Sequence, residues 1–112
     1  MAKKITSRED FELVIRQLSK KLADKYSDFS GITFFGSRQR GDYKEDSDFD
    51  ILILFTNKPH WKLENEVMGI VLEFELKYDI LIDAKVYHHQ EIYKQNTPFR
   101  LHVATHGIHY GK

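Results

Sequence analysis

Asp48 and Asp50 stand two residues apart in Asp48-Phe49-Asp50, at the head of the apolar run Ile51-Leu52-Ile53-Leu54-Phe55. In an extended strand alternate side chains share a face, so both carboxylates point to one side and Phe49 to the other. Carboxylates crowded in this way repel each other unless a cation compensates them. Hard oxygen donors suit magnesium or manganese, which keep several waters and take up phosphate oxygens. Upstream, Gly36-Ser37 closes another short apolar run. Gly36 permits close backbone approach, and Ser37 adds a hydroxyl beside amides freed at a following helix start, a combination suited to phosphate. Arg38, Arg40 and Lys44 lie close by, with Arg40 the candidate for a phosphate contact. One metal ion would neutralise and orient a triphosphate while a second activates an attacking hydroxyl, so the chemistry would be positioning and electrostatics. The plainer alternative has the Asp pair capping a helix or solvating a strand edge, and the cations solvating a loop beside Asp42, Glu45 and Asp46.

Several elements must position these groups. Phe11, Val14, Ile15, Leu18, Leu22 and Tyr26 recur at helical spacing, and Ser7 with Asp10 forms a capping box, so Ser7 to Tyr26 is predicted to be an amphipathic helix. Asp28 to Gly31 reads as a turn, and Ile32 to Phe35 as a first strand. Residues 36 to 47 have almost nothing to bury and are expected to form a loop or solvated helical turn. Asp48 to Phe55 is apolar on both faces, which predicts a central strand covered on both sides. Leu63, Val67, Ile70, Val71, Phe74 and Tyr78 mark a second helix, Leu63 to Lys77, with Pro59 near its start. Tyr78 to Tyr87 reads as a third strand that carries Asp79 and Asp83 on one face. The tail is polar and expected to be helical around Pro98 to His106. The pattern gives an α/β (α+β) fold: a small mixed sheet of three or four strands backed by two helices, with an open site at one edge.

Composition narrows the function. With 112 residues the chain is expected to form one domain, residues 1–112, without room for a second substrate-binding domain. Lys and Arg total 17, as do Asp and Glu, so no global basic field points to nucleic acid as the partner. Cysteine is absent, which excludes disulfides and thiolate metal sites and fits a cytoplasmic protein. The basic start has no apolar stretch behind it and no membrane-length apolar run occurs, so neither a signal peptide nor a membrane span is expected.

Gly36-Ser37, ten residues, then Asp48-Phe49-Asp50, with a strand before and after, resembles the signature of the polymerase-beta-type nucleotidyltransferase superfamily. Gly-Ser-Arg-Gln-Arg-Gly followed by Asp-Ser-Asp-Phe-Asp is especially similar to the minimal nucleotidyltransferases, and Pro98-Phe99-Arg100 with Gly107-Ile108 looks like the tail of that group. The resemblance implies transfer of a nucleoside monophosphate, usually AMP from ATP, to an acceptor hydroxyl with release of pyrophosphate. Gly36 and Ser37 would bind the triphosphate, and Asp48 and Asp50 would hold Mg2+ or Mn2+. A third carboxylate on a neighbouring strand would help to activate the acceptor. Asp79 is preferred for that role because it precedes Ile80-Leu81-Ile82, with Asp83 in reserve. Members of this group commonly pair with a small helical HEPN protein as antitoxin of a toxin–antitoxin system, which implies a protein acceptor. The alternatives are a nucleotide-binding module that neutralises a partner by contact alone, and a homodimer that modifies a small molecule such as an antibiotic.

The remaining candidates have competing readings. His102 and His106 stand four apart with His109 just beyond, a zinc-like spacing that lacks a His-Glu-x-x-His pattern, so surface or interface histidines are the simpler reading; His88 and His89 read as turn residues. Trp61 could stack on a base. Phe11, Phe34, Phe35, Phe49, Phe55 and Phe74 fall on buried stripes and are expected to pack the core.

Overall fold

The computed structural model describes residues 5, 7–41, 47–88, 90 and 107–111. Its elements are α1 (Arg8–Lys25), β1 (Phe29–Phe35), α2 (Gly36–Arg40), β2 (Phe49–Phe55), α3 (Trp61–Tyr78), β3 (Ile82–His88) and β4 (Ile108–Gly111). The expected helix around Pro98 to His106 lies outside the described residues.

Helix α1 begins where the cap predicts. Ser7 has extended backbone angles and its Oγ accepts from the Asp10 amide at 3.1 Å, satisfying one of the orphan first-turn donors. Phe11, Val14, Ile15, Leu18 and Leu22 form its buried stripe. Helix α3 is capped less orthodoxly by His60, whose Nδ1 accepts from the Leu63 amide at 3.4 Å, and buries Val67, Ile70, Val71 and Phe74.

The four strands form one sheet in the order β3-β2-β1-β4. β1 runs antiparallel to both β2 and β4, whereas β2 and β3 are parallel because α3 carries the chain back across the sheet between them. The parallel pair places the starts of β2 and β3 at the same end of the sheet. β1, running antiparallel to β2, finishes there too, and this end gathers the candidate residues.

Helices α1 and α3 pack on one face of the sheet. Phe11, Ile15, Leu18, Val67 and Val71 meet Ile32, Phe34, Phe49, Ile51, Ile53 and Ala84 in a single apolar cluster. Phe11 stacks on Phe49 with ring centroids 4.2 Å apart and planes 19° apart, and tilts against Phe34 at 5.0 Å. All six phenylalanines expected in the core are buried. On the opposite face Phe35, Leu52 and Leu54 form a second cluster joined by Tyr87, so β2 is apolar and buried on both sides as its composition predicts.

Several boundaries differ from expectation: β2 begins at Phe49, with Asp48 just ahead of it, and α3 spans Trp61–Tyr78. β1 starts at Phe29, because Phe29 pairs with Phe55 ahead of an irregularity at Gly31. β4, a short edge strand, pairs Gly31 to Phe34 with Ile108 to Gly111, although its own sequence is too brief and polar to stand out. The expectation that Asp79 lies on the third strand is corrected: α3 continues through Tyr78, Asp79 caps it in the left-handed region at φ 54° and ψ 52°, and β3 begins only at Ile82. Asp tolerates that conformation better than most side chains. The Asp79 amide bonds to the Glu75 carbonyl, as does Ile80 N at 3.2 Å.

Candidate active site

β2 alternates. Phe49, Ile51 and Ile53 face the helices, so Asp50 projects with Leu52 and Leu54 from the opposite face. On β3, Ile82 and Ala84 face the helices, which puts Asp83 and Lys85 beside Asp50 on that same opposite face. Asp50 and Asp83 are register partners on adjacent strands. Asp48, immediately before β2, is exposed at the mouth of this arrangement.

The electrostatics follow from the packing. Asp50 is pushed above its ordinary carboxylate value, first by partial burial, then by the charges of Asp83 and Asp48; Lys85 opposes the shift and a hydrogen bond with Asp83 adds to it. Lys85 Nζ lies 3.9 Å from Asp83 Oδ2. Without a counter-cation these neighbouring charges oppose ionisation of Asp50.

Gly36 ends β1 directly against this pair. A Cβ at residue 36 would overlap Asp50 Oδ2 and come within 2.9 Å of Asp50 Cγ, and the backbone there has φ +84°, so both space and conformation require glycine. The close backbone approach inferred from the sequence is thus made to the carboxylate itself. Ser37 and Arg40 belong to α2, which follows at once, so the topology brings their backbone to the end of the sheet where Asp50 lies; their side chains, and Lys44, lie outside the described residues.

Arg38, also on α2, is 5% exposed. Its Nε donates to the Ser47 carbonyl at 3.0 Å, and its guanidinium carbon lies 4.6 Å from the Phe49 ring centroid. Local pattern reads Arg38 as a solvated loop cation, because Phe49 lies eleven residues on, too distant for such a pattern to reveal the stacking.

The other candidates are dispersed. Asp79 is exposed at the end of α3 and does not share a strand face with Asp83. Trp61 is 67% exposed at the start of α3, beyond the end of β2 opposite to Asp50. His109 Nδ1 lies 2.7 Å from Thr33 Oγ1 across the β1–β4 pair, His88 ends β3, and His89, His102 and His106 lie outside the described residues. Among the described residues no three Asp, Glu, His or Cys side chains converge tightly enough to form a ready cation cage, and no helix is long and apolar enough to cross a membrane. The Asp50–Asp83 pair still fits a hard divalent cation: its donors are all oxygen, and the proton-favouring repulsion between them is what such a charge would relieve.

Residues 15–102 match the nucleotidyltransferase domain family. A candidate protein adenylyltransferase from Methanocaldococcus jannaschii is 37% identical over 75 residues, covering 66% of this chain and 76% of that protein. The crystal structure of a candidate nucleotidyltransferase from Sulfolobus solfataricus superposes with a TM-score of 0.54 at 25% identity, covering 84% of each chain. A toxin–antitoxin structure with AMP-PNP shares the fold at a TM-score of 0.57 and 19% identity, over 87% of this chain and 73% of that one. A mutant form of the MntA–HpeT toxin–antitoxin pair has the same TM-score and coverages at 17% identity.

Proposed function

The chain belongs to the nucleotidyltransferase domain family, and from that premise we propose that it transfers AMP from ATP to a hydroxyl group on a partner protein. The observation that carries this reading is the pairing of Asp50 with Asp83 on adjacent parallel strands, with the Gly36 backbone seated against Asp50.

In this reading the acceptor oxygen attacks the α-phosphorus of ATP, the bond from that phosphorus to the bridging oxygen of the β-phosphate breaks, and pyrophosphate leaves. Asp83 receives the proton of the acceptor hydroxyl, the role that the sequence alone offered first to Asp79; Asp83 suits it because it lies beside Asp50, whereas Asp79 caps a helix. Gly36 gives the triphosphate a close backbone approach, with Ser37 and Arg40 as its further contacts. Asp48 and Asp50 would hold Mg2+ or Mn2+, which when bound supplies charge neutralisation of the triphosphate. Lys85 balances the carboxylate charge from the same sheet face.

A protein acceptor is favoured by the name of the archaeal relative and by the exposed position of Asp48, which leaves the mouth of the site accessible to a large substrate. We extend this to an antitoxin that modifies a HEPN-type helical toxin, supported by the minimal-nucleotidyltransferase motif and by the fold shared with toxin–antitoxin components.

The test is incubation with ATP labelled at the α-phosphate, magnesium and a co-expressed helical partner. Label should appear on the partner with stoichiometric pyrophosphate, and disappear with Asp50→Asn. Label that persists in Asp50→Asn would sink the site assignment, and stable binding to the partner without label would favour neutralisation by contact alone.

A further inference from the structure

We propose that Arg38 is a positioning residue: it fastens the Gly36-Ser37 turn to the entry of β2, so that the triphosphate-binding backbone and the carboxylates hold one fixed relation. The functional half of this statement rests on the nucleotidyltransferase reading.

A buried cation needs a reason. Removing a guanidinium from water is costly, and an apolar side chain of similar size would fill the same space without that cost. Among the described residues the cost is offset by directed contacts on separate parts of the chain. The charge lies over the face of Phe49, and Nε donates to the carbonyl of Ser47. Phe49 is itself stacked on Phe11 in the core, so the fastening reaches from α2 through β2 to α1. From the other side, Arg8 Nη1 donates to the Gln39 carbonyl at 3.2 Å, a second tie between α1 and α2.

The residues that Arg38 grips bracket the site. Ser47 and Phe49 lie on either side of Asp48, and Phe49 lies between Asp48 and Asp50; Arg38 itself is one residue beyond Ser37 and two beyond Gly36. Five residues make too short a helix to be stable by its own backbone bonds. A displacement of about 1 Å between reacting groups is enough to cost on the order of 100-fold in rate, so this relation needs to be held.

The chemistry of the contact is specific to arginine. A planar guanidinium can stack on a ring and present Nε to a carbonyl together, whereas a lysine ammonium offers a point charge without that fork. Arg38→Lys therefore separates positioning from charge, and Arg38→Met removes both while keeping the volume.

Two measurements on the full chain decide the matter. Hydrogen exchange should become about tenfold faster or more in residues 36–41 and 47–50 of both variants, while α1 and α3 keep wild-type protection. Calorimetry with AMP-PNP, with and without magnesium, should show the magnesium-dependent gain in affinity falling by about tenfold or more in both variants at temperatures where they remain folded. Wild-type exchange in Arg38→Met would overturn the fastening. A lysine variant that restores both readouts would overturn it as well, showing that charge alone suffices. Equal loss of protection everywhere would reduce Arg38 to a stabilising role. If wild-type protein binds no nucleotide, the nucleotidyltransferase reading fails while the exchange result still judges Arg38.

Discussion

Asp50 and Asp83 are register partners on the parallel strands β2 and β3, and both project from the face of the sheet that α1 and α3 leave free. Parallel register makes this pairing a property of the fold: the crossover through α3 sets which residue of β3 reaches the level of Asp50.

The first prediction follows from that placement. Asp83→Asn should lower adenylyl transfer by about 100-fold or more, in the range typical of a lost general base, whereas Asp79→Asn should leave the rate within a few-fold of wild type. Initial rates of pyrophosphate release measure both. Equal losses in the two variants would contradict the assignment.

A second prediction concerns pH. The folded state raises the carboxyl pKa of Asp50, so it binds a proton more tightly than the unfolded chain does. The stabilisation from this group is therefore complete below the ordinary carboxylate pKa and is lost as pH rises through the elevated folded value. In metal-free buffer Asp50→Asn should be more stable than wild type at neutral pH by roughly 2–4 °C in Tm, a modest shift because the group is only partly buried. The difference should shrink on acidification. Thermal melts across pH test it, and a variant less stable at neutral pH would refute it.

Gly36→Ala is expected to fail for a reason of space. The new methyl overlaps Asp50 Oδ2 and the residue must keep a positive φ. A stability cost on the order of 1–3 kcal/mol should appear in denaturant titration, together with loss of magnesium-dependent nucleotide binding. Gly41→Ala, where nothing lies within 4 Å of the new Cβ, serves as the comparison, because it shares the positive φ, at +89°, without the collision.

The tyrosines offer a spectroscopic check on the packing of α1. Tyr26 donates to Glu66 Oε1 at 2.7 Å and Tyr110 to Glu12 Oε1 at 2.9 Å. Burial and these hydrogen bonds push both phenols up to about 12. Their stabilisation is complete below the unfolded value of 10.0 and is lost as pH rises through about 12. Ultraviolet titration of phenolate should show one fewer late-ionising tyrosine in either Tyr26→Phe or Tyr110→Phe than in wild type.

Much of this protein is legible in local pattern. The stripe from Phe11 to Leu22, the Ser7 cap and the two-sided apolar run of β2 identify their elements because periodicity and capping act over a few residues. Gly36-Ser37 and Asp48-Phe49-Asp50, at their spacing, likewise resemble the signature of the family to which the chain belongs. What sequence could not decide was the end of α3. Asp79 and Asp83 are both compatible with the start of a strand, and the choice depends on how far the helix runs before its buried face is used up and on the register that β3 then finds beside β2. The short edge strand β4 and the burial of Arg38 share that origin. Each is fixed by partners distant in sequence: β4 by Gly31 to Phe34, and Arg38 by a phenylalanine whose own place is set by Phe11. Long-range packing energies decide such features, and they become visible only when the chain is folded.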